Sequence, residues 1–366
     1  MLDRIYVAAT SQHVGKTTST LGIVAAIRNK GFNVGYCKPL GQEFVDLGDL
    51  KVDKDALLFS KVMNFELSAE LHSPVILGRG VTTSFLQNPD QYQFPDEVIN
   101  ASQQLQERHE VVVYEGTGHP GVGSVIDLSN AAVAKMLNAS VIMVVEGGIG
   151  NTIDKLNTNL SLFREEQVPI AGVIINKVIP EKSERVRELV GGKLEKWGIP
   201  LLGVLPYDQT LANPIMEGIR LAVDGTVIMN GHNLDNKVEN IASGSLIEKK
   251  EFDDLQNLLL IVSHRRLENA INSLQEIDRK HPDQDLKLAG IIVNGENDFV
   301  SELQRHVPCG DYIMMNEIPL IATQLDTYGS AIKINKMEVK INTRTPWKAR
   351  RAVELIRDNV NLDGLF

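Results

Sequence analysis

Residues 5–30 constrain the fold most, because a strand pattern, a glycine turn and a helix pattern follow one another there. Residues 5–9 read IYVAA, residues 10–15 read TSQHVG and residues 16–30 read KTTSTLGIVAAIRNK. Amides in such a turn, together with the positive end of the helix dipole, can bind phosphate oxygens. We therefore predict a phosphate-binding loop formed by His13, Val14, Gly15, Lys16, Thr17 and Thr18.

Two side chains of this loop suit a nucleoside triphosphate bound with a divalent cation. Lys16 is expected to reach the β- and γ-phosphates, and the Thr17 hydroxyl is expected to bind Mg²⁺. The P-loop pattern begins with a glycine where this chain has Thr10, so the match fails at that position. The alternative is an ordinary strand–helix turn that contains Gly-Lys-Thr-Thr by chance.

Short apolar runs alternate with helical patterns up to residue 206. Their nearly continuous Val, Ile and Leu content is typical of parallel strands that are covered on both faces. This alternation predicts an α/β fold with a doubly wound, mostly parallel sheet. The predicted strands are residues 5–9, 33–38, 111–115, 140–146, 170–176 and 200–206.

The spacing of apolar runs changes near Pro214, which indicates a second, smaller α/β domain. We expect a P-loop domain over residues 1–213 and a second domain over residues 214–366 that includes the last helix. The polar stretch 231–251 is expected to be a surface excursion within the second domain. The predicted strands of this domain are residues 226–231, 257–263, 288–294 and 318–324.

The composition excludes several classes of partner. A formal charge of −10 argues against a nucleic-acid or anionic-membrane surface.

No apolar run is long enough to span a membrane, and the N-terminal residues lack a secretory signal pattern. Two distant cysteines, Cys37 and Cys309, cannot form a disulfide framework. We therefore expect a soluble, cytoplasmic protein.

Two carboxylates are candidate Mg²⁺ ligands beside Thr17. Glu115 ends the buried run VVVYE, at the sheet edge where open α/β sheets bind ligands. Asp55 opens a helical pattern and is the second candidate, since Mg²⁺ in phosphate sites usually takes one or two carboxylates. The alternatives are that Asp55 is a helix cap and that Glu115 only precedes a turn.

A lysine and a glycine-rich loop complete the candidate site. Lys38 follows the second strand and can stabilise transferred charge, although a solvent-facing lysine is the alternative. Residues 116–121 also spell G-x-G-x-x-G after a strand, but Pro120 interrupts the motif and no helix begins cleanly at its end. We interpret this segment as a loop whose glycines, including Gly116, let the backbone approach a ligand closely.

The segment IINKVIP suggests a base-reading loop. Asn176 and Lys177 match the first two positions of the Asn-Lys-x-Asp motif of GTP-binding proteins, but the fourth position is Ile179. The carboxylate that would bind guanine is missing, so we infer ATP rather than GTP. The alternative is that Asn176 only caps the end of its strand.

Taken in order, ATSQHVGKT, GYCKP, Asp55-Ala56, VVVYEG, GVIINKV and LLGVLPYD resemble dethiobiotin synthetase and its P-loop relatives, the cobyrinate diamide synthases. The resemblance covers roughly residues 3–207. It implies that ATP and Mg²⁺ bind, that Lys38 is catalytic with Lys16, and that the protein is a homodimer. The implied metal ligands are Thr17, Asp55 and Glu115, and the implied adenine contacts are Asn176, Leu205, Pro206 and Tyr207.

The segments LLGVLPYDQTLANPIMEGI and LIATQLDTYGSAIKI are similar to the N-terminal P-loop region and DRTGG domain of long phosphate acetyltransferases. The Asp-Arg-Thr-Gly-Gly signature itself is absent, and VSHRRLEN and VNGEND stand in the corresponding region. The chain leaves no room for a transacetylase domain, so phosphate acetyltransferase activity is not expected. Gln42 and the loop after Glu115 differ from dethiobiotin synthetase, which argues against diaminopelargonate as substrate.

Three functions follow from these observations. The first is an ATP- and Mg²⁺-dependent enzyme that phosphorylates a carboxylate or carbamate on a small molecule. The second is a regulatory ATPase that couples its nucleotide to a metabolite or partner protein through the DRTGG-like domain. The third is a binding module with an inactive P-loop, which the intact Lys16 and Thr17 argue against.

Overall fold

The computed structural model describes residues 2–46, 48, 51–243, 256–280, 288–296 and 298–366. The chain forms two compact units. Unit 1 comprises Met1–Leu211 and Ile341–Phe366, and unit 2 comprises Ala212–Lys340. Unit 2 is therefore inserted within the sequence of unit 1.

The described residues contain strands and helices in the alternation that the sequence predicts. The strands are β1 (Arg4–Ala9), β2 (Val34–Cys37), β3 (Leu40–Gly41), β4 (Phe44–Asp46), β5 (Lys51–Asp53), β6 (Val75–Ile76), β7 (Val111–Glu115), β8 (Ser140–Glu146), β9 (Ile170–Val178), β10 (Leu201–Pro206), β11 (Thr226–Met229), β12 (Asn240–Ser243), β13 (Leu258–Ser263), β14 (Leu288–Asn294) and β15 (Leu320–Thr323). The helices are α1 (Lys16–Asn29), α2 (Lys54–Met63), α3 (Ala69–His72), α4 (Val81–Gln87), α5 (Phe94–Arg108), α6 (Asn130–Met136), α7 (Gly150–Glu165), α8 (Ser183–Lys196), α9 (Gln209–Ala212), α10 (Met216–Ala222), α11 (Leu267–Lys280), α12 (Phe299–Arg305), α13 (Gly310–Met315), α14 (Thr327–Lys336) and α15 (Pro346–Asn359).

Unit 1 is built on a six-stranded sheet with the order β10-β9-β8-β1-β7-β2, and every pair in it is parallel. Helices α5 to α8 cover one face, and α1, α2 and α15 cover the other. Because both faces are covered, the strands are apolar along their whole length, as in VVVYE of β7, where every residue is buried. This is the doubly wound sheet that the sequence predicts.

Unit 2 has its own five-stranded sheet with the order β11-β15-β14-β13-β12. Strands β12 to β15 are parallel, and β11 pairs with β15 in the antiparallel sense. One core lies between the sheet and α11 to α13, and a second lies under α10 and α14. The polar stretch 231–251 contributes edge strand β12, which the sequence does not predict, and its residues 244–251 lie outside the described residues.

The division of the chain differs from the predicted boundary in one respect. We expected the last helix to belong to the second domain, but Ile341–Phe366 is part of unit 1. The physical reason is the apolar face of α15, where Ala349, Ala352 and Ile356 are buried in the core that also contains α1. Gly22 of α1 makes this close approach possible, since a Cβ there would lie 2.2 Å from Ile356 Cγ1.

Candidate functional site

The P-loop lies where the strand order of the unit 1 sheet reverses. From β1 the chain builds β7 and β2 on one side and β8, β9 and β10 on the other. Open α/β sheets form their ligand crevice at this point, at the carboxyl ends of the strands. The turn between β1 and α1 lies at that edge, and Gly15 adopts a φ of 92° immediately before the helix. A side chain would be strained there.

Two side chains from β9 hold the backbone of the P-loop. Asn176 Nδ2 donates to the Val14 carbonyl at 2.8 Å, and Lys177 Nζ donates to the His13 carbonyl at 2.6 Å. A Cβ on Gly15 would lie 2.0 Å from Asn176 Nδ2, so only glycine fits beneath this contact. These bonds engage the Val14 and His13 carbonyls, which fixes the backbone of the turn.

Lys16 is the first residue of α1 and is half-buried. Burial lowers the pKa of its ammonium to about 8, with a further lowering from Lys38, while Glu115 and two aspartates oppose that shift. Burial and a neighbouring cation both destabilise the charged form of a lysine. An anionic ligand then stabilises that charged form. The position and electrostatics of Lys16 therefore suit a phosphate contact.

Glu115 at the end of β7 is fully buried and accepts two side-chain hydrogen bonds. Thr17 Oγ1 donates to Glu115 Oε1 at 2.7 Å, and the Tyr36 hydroxyl donates to Oε2 at 3.2 Å. Burial raises the pKa of Glu115 to about 7, against the opposing effects of Lys38, Lys16 and the Thr17 hydrogen bond. The alternative that Glu115 only precedes a turn is thus not supported.

Lys38 is buried among three carboxylates and does not face solvent. Its ammonium contacts Asp55 directly and lies 3.6 Å from Asp53 Oδ1 and 3.7 Å from Glu115 Oε1. Burial lowers the pKa of Lys38, but Asp55, Glu115 and Asp53 together raise it well above its ordinary value. The side chain is therefore a permanent cation at the carboxyl edge of the sheet.

Asp53, which the sequence reasoning did not select, caps helix α2. Its Oδ1 accepts a hydrogen bond from the Asp55 amide at 2.8 Å. Asp55 therefore does not serve as the cap, and its side chain is about one quarter exposed at 24%. Burial raises the pKa of Asp53, and the nearby Lys38 ammonium lowers it. Lys38 therefore helps to keep the Asp53 carboxylate charged.

The oxygen donors near the P-loop fit Mg²⁺. Thr17 Oγ1 and Glu115 Oε1 are 2.7 Å apart, close to the separation of about 3 Å expected for adjacent ligands of an octahedral Mg²⁺. Hydroxyl and carboxylate oxygens are the ligands that this hard cation prefers. Within the described residues no three His, Cys, Asp or Glu side chains form a metal cluster, so phosphate oxygens and water would supply the remaining ligands of a bound Mg²⁺.

The glycine-rich loop after β7 is held from inside the protein. Asn130 Oδ1 accepts from the Thr117 amide at 2.9 Å and from the Tyr6 hydroxyl at 2.7 Å, while its Nδ2 donates to two loop carbonyls. A Cβ on Gly116 would lie 2.5 Å from Asn130 Oδ1. The loop continues into a short 3₁₀ turn at Ser124–Ile126, not into an α-helix, which removes the dinucleotide-binding alternative.

Residues 205–207 lie beside the end of β9. Leu205 is fully buried, Pro206 ends β10, and the Tyr207 amide donates to the Val178 carbonyl at 2.7 Å. The Tyr207 side chain is 46% exposed, and Ile179 next to Val178 is 50% exposed. Two exposed apolar side chains therefore flank the segment that contains Asn176 and Lys177.

The structure brings most of the predicted residues to one edge of the sheet. The P-loop residues, Lys38, Asp55 and Glu115 form a connected set through the contacts described above. Asn176 is engaged differently from its prediction, since its Nδ2 binds the P-loop and its Oδ1 accepts from the Lys177 amide at 2.8 Å. One Nδ2 hydrogen is left for another partner, so adenine contact by Asn176 stays a prediction.

Tyr36, Asp53 and Asn130 were missed by the sequence reasoning. Tyr36 and Asn130 give no local signal, because a buried tyrosine in a strand and an asparagine at a helix start are both common. Asp53 could have been found from its position two residues before Asp55, since Asp at a helix start is a frequent cap.

A Gly-Lys-Thr turn between a parallel strand and a helix, at the point where the strand order reverses, defines a P-loop protein of the α/β class. A family model described as an AAA domain matches residues 3–215, more than half of the chain, and the chain belongs to this family.

Similar proteins include three with synthase, synthetase or transferase names. The chain is 24% identical to the probable cobyric acid synthase of Methanosphaera stadtmanae over 84% of this chain and 66% of that protein. It is 21% identical to the phosphate acetyltransferase of Synechocystis over 100% of this chain and 52% of that protein. It is 25% identical to the ATP-dependent dethiobiotin synthetase BioD 2 of Salmonella typhimurium over 62% of this chain and 97% of that protein. The chain thus spans between half and two thirds of the first two relatives.

Among solved structures, the MinD cell division protein of Aquifex aeolicus matches with a TM-score of 0.36 and 14% identity, covering 57% of this chain and 84% of that chain. None of the helices in the described part of the chain combines the length and apolar character that crossing a membrane requires.

Proposed function

We propose that this protein is an ATP- and Mg²⁺-dependent enzyme that transfers the γ-phosphoryl group of ATP to a carboxylate or carbamate of a small molecule. The observation that carries the proposal is Lys38, a buried and permanently charged lysine that lies with Asp55 and Glu115 beside the P-loop. The similarity to a dethiobiotin synthetase and a probable cobyric acid synthase supports it.

In the proposed reaction an oxygen of the acceptor carboxylate attacks the γ-phosphorus, the bond to the β-phosphate oxygen breaks, and ADP leaves. A nitrogen nucleophile then attacks the acyl phosphate and releases inorganic phosphate. Lys16 holds the phosphate chain from the P-loop, and Lys38 orients the acceptor oxygen and stabilises charge on the transferred group. Thr17, Asp55 and Glu115 would hold Mg²⁺, which supplies charge neutralisation on the phosphates.

The experiment measures phosphate release from MgATP with a panel of mono- and dicarboxylic acids, with hydroxylamine added to trap an acyl phosphate as its hydroxamate. An accepted acid should raise phosphate release above the basal rate and give a hydroxamate. Lys38→Ala should abolish the stimulation while retaining ATP binding. Lys54→Ala is the matched control, because Lys54 is an exposed lysine of α2 whose Nζ lies 3.6 Å from Glu43. No stimulation by any acid, with no hydroxamate, would contradict the proposal.

A regulatory ATPase is the second candidate function. The observation that favours it is the insertion of a complete α/β unit after Leu211, directly beyond residues 205–207. Unit 2 would then bind a metabolite or partner protein and change nucleotide turnover. The test is a variant from which unit 2 has been deleted. If this variant keeps the acid-stimulated rate of phosphate release, the result favours the enzyme. If it loses a response to an effector, the result favours the regulatory ATPase.

Homodimer formation and the DRTGG-like nature of unit 2 stay predictions from the resemblance. Light scattering of the purified chain tests the first directly. A dimer mass at micromolar concentration is expected, and a monomer mass at all concentrations would contradict it.

A further inference from the structure

Helix α15 contacts the segment that follows β10 through a charged hydrogen bond. Arg351 Nε donates to Asp208 Oδ2 at 2.8 Å, and the Asp208 side chain is only 10% exposed. The other oxygen, Asp208 Oδ1, accepts from the Leu211 amide at 3.2 Å. Asp208 therefore connects α15 to the segment 208–211, which follows Tyr207.

A buried lysine of α15 makes a second contact with the same segment. Lys348 is 1% exposed, and its Nζ donates to the Leu211 carbonyl at 2.8 Å. Its ammonium also lies 5.1 Å from the Trp347 ring centroid. Burying an ammonium costs free energy unless polar partners compensate, so these contacts hold the Leu211 backbone in one place.

The same helix is fixed on the P-loop helix and on β10. Ile356 packs against Gly22 of α1, where there is no space for a side chain. Just beyond the helix, Val360 bridges Gly203 of β10, and the Asn361 amide donates to the Leu202 carbonyl at 2.9 Å. α15 and the residues after it thus contact both α1, which begins with Lys16, and the first residues of β10.

We propose that α15 is a positioning element of the nucleotide site, in which Arg351 and Lys348 hold residues 208–211 so that residues 205–207 can contact the base. The proposal rests on the proposed function in that ATP binds at the P-loop, and on the resemblance in that the base lies at residues 205–207. Tyr207 is half exposed at 46% and is the side chain most available for stacking on a base.

The proposal separates contacts with the base from contacts with the phosphates. Arg351 and Asp208 act on residues 205–207, so losing their hydrogen bond should weaken binding of ATP and leave binding of inorganic tripolyphosphate unchanged. Lys16 acts on the phosphates, so losing it should weaken both ligands. A role in folding alone would change both affinities together or neither.

The experiment is calorimetric titration of the full chain with MgATP and with magnesium tripolyphosphate. For Arg351→Gln and Asp208→Asn we expect ATP affinity to fall by up to about tenfold, because the strength of the lost hydrogen bond limits how much its positioning of residues 205–207 can contribute, with tripolyphosphate affinity unchanged. The double variant should lose no more than either single variant. Arg357→Gln is the matched control on the same helix, since Arg357 donates to its neighbour Asp358, and it should leave both affinities unchanged.

Three outcomes would overturn the proposal. Equal losses for ATP and tripolyphosphate in Arg351→Gln would show a general structural role. Unchanged affinity for both ligands would show that α15 does not affect the base segment. Retention of both affinities in Lys16→Ala would instead remove the nucleotide site on which the proposal rests, so the two failures are distinguishable. Tryptophan fluorescence in urea, which reports on Trp197 and Trp347 together, checks that each variant is folded.

Discussion

The carboxyl edges of the two parallel sheets differ in charge. In unit 1 this edge contains the buried ions Lys38, Asp53 and Glu115. In unit 2 the adjacent register positions are Ser263, Asn294 and Thr323, which are neutral. No charged side chain is buried among the residues of unit 2 that the structure describes.

The neutral edge of unit 2 is bonded largely within its own fold. Asn294 Nδ2 donates to the Leu325 carbonyl and to Ser330 Oγ, and the Thr323 hydroxyl donates to the Val223 carbonyl. Such bonds stabilise a fold directly, whereas buried ions cost desolvation free energy that their pairing only partly offsets. In the proposed function the same sheet architecture therefore serves chemistry where charges are buried and stability where neutral groups replace them.

The largest effect is expected from removing residues 341–366. Ala349, Ala352 and Ile356 contribute to the core of unit 1. Ile356 and Leu362 are worth about 1.5–3 kcal/mol each, and the partly buried Ile341, Val360, Leu365 and Phe366 add to this, so the loss of the whole segment approaches the total stability of a domain. Chains that end at residue 340 should fail to unfold cooperatively in urea, as followed by Trp197 fluorescence. Replacing residues 212–340 with a flexible linker is the control and should preserve cooperative unfolding. A stable chain ending at 340 would place the boundary between the units elsewhere.

The next largest effect is expected from Glu115→Ala. Losing this carboxylate should weaken Mg²⁺-dependent ATP binding by about tenfold or more, because Thr17 loses its partner oxygen and the cation loses a ligand. Titrations of ATP at several Mg²⁺ concentrations measure the effect. Glu110→Ala is the matched control, since Glu110 is exposed and comes immediately before β7, the strand that Glu115 ends. Its carboxylate accepts a hydrogen bond from the Asn33 amide. If ATP affinity depends on Mg²⁺ equally in both variants, Glu115 is not a ligand of the metal.

Asn294→Ala tests the neutral edge. It leaves the Leu325 carbonyl and Ser330 Oγ without their shared donor, which should lower the free energy of unfolding of unit 2 by about 1–3 kcal/mol. ATP affinity should not change. Hydrogen exchange of the β13 to β15 amides measures the stability, with the exposed Asn316→Ala as control. A loss of ATP affinity would contradict the contrast between the two edges.

The smallest effect is expected from pH through His72, which is buried and stacks on Phe65. Burial lowers the pKa of His72 below its ordinary value of 6.5. Its contribution to stability is therefore present above pH 6.5 and is lost as the pH falls through the lowered value. His72→Phe should flatten the decline of the urea midpoint between pH 7 and pH 5. Burial and Arg108 also lower the pKa of His109, which acts in the same direction, whereas the raised pKa of Glu115 acts in the opposite direction, so both contribute to the slope that remains. An unchanged slope would contradict this prediction.

The parallel sheet and the P-loop were predictable because their signals are local. Continuous Val and Ile runs predicted the strands of both sheets except edge strand β12, and Gly15-Lys16-Thr17 between a strand and a helix predicted a phosphate site. Helix α7 gives a weaker local signal, since its sequence GNTIDKLNTNLSLFRE contains many Asn and Thr residues with low helix propensity.

Features that depend on distant parts of the chain were not predictable. Lys38 could be solvent-facing or catalytic until the fold placed Asp53 and Glu115 around it. The last helix has the pattern of any amphipathic helix, and nothing in that pattern identifies α1 as its partner. Tertiary packing, not propensity, decided both cases.

The return of the chain to unit 1 has a consequence for synthesis of the protein. On the ribosome, α1 emerges early but the helix that covers it emerges only after all of unit 2. The apolar surface around Gly22 must stay uncovered during that interval, while unit 2 has every strand it needs to fold. Chaperone binding to nascent chains should therefore persist until residues near 356 are outside the exit tunnel.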